Sequence, residues 1–177
     1  EGQILVHHAS SHVRAASGGA AAQDEAQADA QQDTAVDRTK DRLHGVLGAK
    51  CYPEAEERRV RLLKENGYNA LRSAHNPCSK ALLDACDSLG MLVMDEYIDH
   101  WYIHKTEHDY VQYFADWWQQ DLTDMVEKDY NHPSVILYST GNEVSETAQK
   151  RGIALTRQMT DFLHQLDDTR PVTCGVN

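Results

Sequence analysis

The stretch VILYSTGNEVSE, Val135 to Glu146, decides how this chain reads. It opens as an apolar run of strand length with no period-two alternation. That is the pattern of a strand buried on both faces, as in a parallel sheet. The run then stops abruptly at Gly141-Asn142-Glu143, so a buried strand delivers an amide and a carboxylate side by side at its C-terminal end.

Working outward from this stretch, the same unit repeats. Upstream, MLVMDE (Met91–Glu96) is a second buried strand, again ending in acids. Before it, SKALLDACDSLG has Ser79 as an N-cap, Leu82, Leu83, Cys86 and Leu89 at helical spacing, and Gly90 as a stop. NALRSAHNP reads as a strand from Asn69 to about Ser73 that runs into a loop at Pro77. PEAEERRVRLLKENG reads as a helix, with Pro53 at its first position, acids early, bases late, and Gly67 as its stop. Between the two buried strands a helix is expected from about Tyr110 to Tyr130, with Phe114, Trp117, Leu122, Met125 and Val126 on its apolar face. Trp117 and Trp118 both read as packing residues. Downstream, a helix from about Ala148 to Leu166 precedes a last strand, Pro171–Cys174. The chain begins with a short apolar run, Gln3–Val6, ending in His7-His8.

Strict alternation of strand and helix with apolar strands implies parallel βα units, in a barrel or in a doubly wound sheet. The polar residues discriminate between them. The strands end in His7-His8, lead into Arg72, His75 and Asn76, end in Asp95-Glu96 with Asp99 and Trp101 beyond, and end in Asn142-Glu143. Contributions from four successive strand ends favour a barrel, whose active site lies on that face. An open sheet would concentrate function at one switch point, often with a glycine-rich phosphate loop. Neither G-x-G-x-x-G nor a P-loop occurs. The expected fold class is therefore α/β, a partial (β/α)8 barrel of roughly four βα units plus a fifth strand. Residues 1–8 form the first strand and 44–177 the βα units. Residues 9–43, rich in Ala, Gln and Asp, read as a low-complexity, mobile insertion, because they hold too little apolar surface to offset the entropy of ordering.

Composition narrows the partners. The 177 residues are 41% hydrophobic and 25% charged, as in a globular domain, and carry a formal net charge of -11. That charge argues against nucleic acid and anionic membranes. No apolar stretch approaches a membrane span, and EGQILVHH shows no signal-peptide pattern. Cys51, Cys78, Cys86 and Cys174 form no C-x-x-C pair and read as free thiols in a reducing, cytoplasmic setting.

Carboxylates, amides, histidines and an aromatic on one face suit a neutral polyhydroxylated ligand. Closely placed carboxylates also suit glycoside hydrolysis, in which one carboxyl must hold a proton for the leaving oxygen. Each residue has a plainer reading. Glu143 alone could be a cap, Asp95-Glu96 loop caps, Arg72 a structural ion-pair partner, and His75-Asn76-Pro77 only a turn. His100, His104 and His108 stand four apart, a spacing that hints at a metal face, but no helix or further ligand is evident there, so no metal is assigned.

The motifs NALRSAHNP, LLDACDSLGMLVMDE, DLTDMVEKDYNHPSVILYSTGNE and DDTRPVT, in this order, resemble the catalytic barrel of family 2 glycoside hydrolases from about Tyr52 onward. The Gly-Asn-Glu form resembles the β-galactosidase branch. The resemblance implies that Glu143 is the general acid/base, Asn142 binds the sugar 2-hydroxyl and His75 contacts the sugar. It implies that Arg72 orients the nucleophile, and that His7, Asp95, Asp99 and Trp101 line the pocket. It further implies a terminal β-galactoside as substrate, no obligatory cofactor, and room for Mg2+ or Na+ in the intact enzyme. The open strand edges of an incomplete barrel invite a homo-oligomer. A β-glucuronidase or β-mannosidase specificity, or a half-barrel that binds sugar without cleaving it, are the alternatives. Two departures stand out. His7-His8 runs into the insertion, with LGA reached only at Leu47–Ala49. The family's nucleophile, a second glutamate near the seventh strand, is expected to be absent from this chain, leaving it inactive alone.

Overall fold

Each predicted strand and helix from Cys51 onward finds a counterpart in the computed structural model, which describes Val6–His8 and residues 51–176. The segment read as an insertion, 9–43, lies outside the described residues, as do Gln3 to Leu5 of the first strand. Contacts divide the chain into two compact units, Glu1–Arg72 with Ser79–Leu92, and Ser73–Cys78 with Val93–Asn177.

In the first unit, strand β1 (Val6–His8) pairs in parallel with β2 (Ala70–Arg72), His8 opposite Arg72. Between them in sequence lies helix α1 (Pro53–Glu65), with Pro53 at its start, Glu54 and Glu56 in its first turn and Lys64 in its last. This charge order suits the helix dipole. Helix α2 (Lys80–Leu89) packs against α1. The Ser79 hydroxyl accepts a hydrogen bond from the Leu82 amide at 3.1 Å, and Gly90 closes the helix at φ 67, a left-handed conformation that glycine adopts at no steric cost. Leu82, Leu83 and Cys86 are buried as their spacing predicts.

In the second unit, β3 (Leu92–Glu96), β4 (Val135–Ser139) and β5 (Val172–Thr173) pair in parallel, each beside its neighbour in sequence. Helix α3 (Val111–Asp129) joins β3 to β4. A 3-10 turn (Ser145–Ala148) and helix α4 (Lys150–Leu166) join β4 to β5. The apolar face of α3 is Phe114, Trp118, Leu122, Met125 and Val126. Trp117 corrects the expectation, because it is 52% exposed. Trp118, one turn after Phe114, occupies the buried stripe and meets Phe162 of α4 edge-on, ring centroids 5.5 Å apart.

The four cysteines are free thiols, Cys78 and Cys86 buried and Cys51 and Cys174 half-buried. Among the described residues no helix is long and apolar enough to cross a membrane.

Candidate active site

The site is built where β3 and β4 end, in the second unit. The carboxylates closing β3 are wholly buried. Asp95 Oδ1 accepts from the Ser73 hydroxyl and from the Cys78 amide at 2.7 Å, and Oδ2 accepts from Lys128 Nζ at 3.1 Å. Both oxygens are therefore engaged inside the protein. Asp95, for which the resemblance implies a place in the pocket lining, ties down both ends of the Ser73–Cys78 loop that carries His75 and Asn76. Glu96 is held similarly, accepting from the Ser139 hydroxyl at 2.8 Å while its amide donates to Ser73 Oγ at 2.8 Å. Beside Asp95, Asp129 is pushed up to about 8, by burial first and then by the neighbouring Asp95 charge.

Beyond β3 the chain enters a loop. Asp99 retains a 34% exposed side chain. Its Oδ1 lies 2.6 Å from His100 Nδ1, while the Tyr110 amide donates to His100 Nε2 at 3.0 Å. Those partners set the neutral ring as the tautomer with its proton on Nδ1. Burial raises the Asp99 carboxyl, but the His100 hydrogen bond and the electrostatic influence of the neighbouring His100, Lys105 and His75 side chains outweigh it and hold it below its ordinary value. Asp99 and half-buried His75 thus belong to one cluster. Trp101, by contrast, is 0% exposed, and its indole donates to the Thr140 carbonyl at 3.1 Å. This bond ties the loop after β3 to the end of β4. The histidines 100, 104 and 108 lie ahead of helix α3, and His104 pairs with Asp109 at 2.8 Å. Among the described residues, no group of three or more His, Cys, Asp or Glu side chains is placed to hold a metal ion.

At the end of β4 the backbone is held on several sides. The Gly175 amide donates to the Gly141 carbonyl at 2.7 Å, and the Val144 amide to the Gly175 carbonyl at 3.3 Å. A side chain on Gly141 would meet Val144 at 2.9 Å, the Trp101 indole at 3.2 Å and the Ile98 carbonyl at 3.3 Å, so only glycine fits this close approach. The Asn142 amide donates to the Ile98 carbonyl at 3.0 Å, and its own carbonyl accepts from Lys105 Nζ at 2.9 Å. Asn142 is buried, whereas Glu143 is exposed and adopts φ 44, a left-handed conformation rare for a residue with a side chain. The fold holds an exposed carboxylate in a specific and unfavourable backbone state, immediately after a buried amide.

Of the remaining expected residues, Arg72 closes β2 in the first unit and is half-buried. His7 pairs through its backbone with Leu71, and its side chain lies outside the description. Sequence reasoning missed Lys105, a lone lysine in a polar loop that no spacing distinguishes. It also missed Glu146, which stands three residues after Glu143 within the stretch that defined the strand.

Comparison with known proteins accords with this geometry. A family model described as glycosyl hydrolases family 2, TIM barrel domain, matches residues 50–177. The chain is 40% identical over 164 residues to the β-galactosidase BoGH2A of Bacteroides ovatus, covering 75% of this chain and 19% of that protein. It is 38% identical over 118 residues to a putative β-glucuronidase of Formosa agariphila, covering 66% and 11%. Among solved structures, a glycosyl hydrolase family 2 member from Bacteroides cellulosilyticus superposes with a TM-score of 0.73 at 52% identity, covering 75% of this chain and 17% of that one. The chain thus spans less than a fifth of the length of these relatives. The family match and the structural likeness bear out the partial barrel.

Proposed function

The chain belongs to the family 2 glycosyl hydrolases, as part of their TIM barrel domain, and from that premise we propose that the whole protein is a retaining β-galactosidase-type hydrolase with Glu143 as its general acid/base. The observation that carries this reading is the exposed Glu143 at φ 44, presented by a peptide clamped at the Asn142 amide and carbonyl. Glu143 protonates the departing glycosidic oxygen. It then takes a proton from the water that attacks the glycosyl-enzyme. Asn142 binds the sugar 2-hydroxyl, a contact that tightens as positive charge develops on the ring. His75 and Asp99, within electrostatic reach of each other, grip further hydroxyls in this reading.

A retaining mechanism needs a second carboxyl group about 5–5.5 Å from the first. The resemblance puts it near the seventh barrel strand, so the 177 residues alone are expected to hydrolyse nothing. The β-galactoside preference rests on the 40% identical relative of that name and on the Gly-Asn-Glu form. A β-glucuronide is the second reading, favoured by the 38% identical relative. The test is a panel of aryl β-galactoside, β-glucuronide and β-mannoside assayed with the whole protein. Fastest release from the galactoside supports the first reading. A glucuronide or mannoside preference replaces the sugar but keeps the chemistry. Inertness toward every β-glycoside overturns the proposal.

A further inference from the structure

Glu146 is 1% exposed, yet no catalytic role falls to it. Its Oε1 accepts hydrogen bonds from three consecutive backbone amides, Trp101 at 3.0 Å, Tyr102 at 2.7 Å and Ile103 at 2.8 Å. Converging amides of this kind form a concavity that favours negative charge. The backbone behind Glu146 is equally confined. A side chain on Gly152 of α4 would approach the Glu146 carbonyl oxygen to 1.9 Å and its carbon to 2.3 Å, so helix and turn touch backbone to backbone.

The segment that Glu146 grips is the same one that grips the acid/base. Ile98, three residues before Trp101, accepts from the Asn142 amide, and Lys105, two residues after Ile103, donates to the Asn142 carbonyl. Trp101 itself donates to Thr140. Residues 98–105 therefore hold the Asn142 backbone on both sides of its Cα, at the N–H and at the carbonyl that precedes Glu143, and Glu146 holds the middle of that loop. We propose that Glu146 is a positioning residue for Glu143, its buried carboxylate fixing the 98–105 loop and, through Ile98 and Lys105, the orientation of the peptide that presents the acid/base. The proposal rests on the reading of Glu143 as acid/base.

The consequence is specific. Protonating the leaving oxygen matters when the aglycone is a poor leaving group and matters little when it is an activated phenol. A misdirected Glu143 therefore slows phenyl glycosides and spares dinitrophenyl glycosides, whereas a loosened fold slows both alike. In the whole protein, with the sugar selected by the panel, Glu146→Gln replaces the carboxylate by a weaker acceptor of similar shape. The expected result is a loss of about tenfold or more in kcat/KM for the phenyl glycoside, with under about threefold for the dinitrophenyl glycoside. An equal loss on both substrates, or no loss on either, overturns the proposal. Lys105→Met carries the same expectation and decides the matter if Glu146→Gln does not fold. Glu143→Gln on the same pair separates the two claims. If it discriminates between the substrates and Glu146→Gln does not, the positioning role alone fails. If Glu143→Gln does not discriminate, the acid/base assignment fails.

Discussion

The ends of β3 and β4 look alike as sequence and differ as structure. Each strand is an apolar run that closes on polar residues, Asp95-Glu96 in one and Asn142-Glu143 in the other. At β3 the chain folds back and fills the carboxylate: Ser73, Cys78 and Lys128 all donate to Asp95, which is wholly buried. At β4 the neighbouring segments hold the backbone. The Gly141 carbonyl and the N–H and carbonyl of Asn142 are held, while the Glu143 side chain is exposed at φ 44. A carboxylate whose oxygens are filled by protein donors organises structure. One exposed on a backbone held in a left-handed state is where the proposed acid/base chemistry is to be tested.

The sharpest way to break this comparison is to neutralise each carboxylate in turn. Glu143→Gln in the whole protein is expected to lower kcat by about 10²- to 10⁴-fold on a poor leaving group while leaving Tm essentially unchanged. Steady-state kinetics beside a thermal melt checks both halves. Asp95→Asn should do the reverse. It weakens the acceptor that holds Ser73, the Cys78 amide and Lys128, while Lys128 keeps its second carboxylate partner, Asp129, and is expected to cost about 1–3 kcal/mol in denaturant unfolding. A stable Asp95→Asn protein would remove the distinction between the two strand ends.

Helix α3 offers the same contrast between adjacent residues. Trp118→Ala is expected to destabilise by about 3 kcal/mol, because the ring leaves a void against Phe162. Trp117→Ala, at a half-exposed site, is expected to change stability by at most about 0.5 kcal/mol. Urea titrations of the pair measure the difference.

An effect smaller than the loss of Trp118 concerns another filled carboxylate, Asp167, just before β5. It accepts from the Thr169 amide at 2.9 Å, the Thr169 hydroxyl, Arg170 and the Tyr138 hydroxyl at 3.1 Å. Burial raises its carboxyl, but these donors prevail and hold it at about 2 against an ordinary 3.8. Because the folded value lies below the unfolded one, the stabilisation is complete above about pH 4 and is lost as pH falls toward 2. It amounts to about 2 kcal/mol. Asp167→Asn should flatten that part of the stability–pH profile, measured by urea unfolding from pH 2 to 6.

What could be read from sequence was local in origin. Pro53, Ser79, Gly67 and Gly90 punctuate the helices through backbone preferences that act within one turn. The apolar runs marked β3 and β4 as strands but overstated their burial, because Ile136 is 40% exposed and Leu92, Met94 and Leu137 are half-buried. Glu143 could be singled out as a candidate because its strand, its glycine and its amide adjoin it. The inward turn of Asp95 could not, since its donors arise 17 to 33 residues away in sequence. Glu146 was hidden for the same reason, its three amides lying 43 to 45 residues upstream. Trp117 and Trp118 both satisfy a helical spacing with Phe114, and only the position of α4 selects between them.

The central claim is that Glu143 is the acid/base of a retaining glycosidase, and rescue by azide tests it most directly. In the whole protein carrying Glu143→Ala, a dinitrophenyl glycoside of the preferred sugar loads the enzyme without needing the acid, and turnover then stalls for want of the base. The account predicts that azide, a nucleophile that needs no deprotonation, restores turnover and yields the glycosyl azide with β configuration. Unchanged turnover on adding azide, with kinetics like those of the unaltered protein, would contradict it.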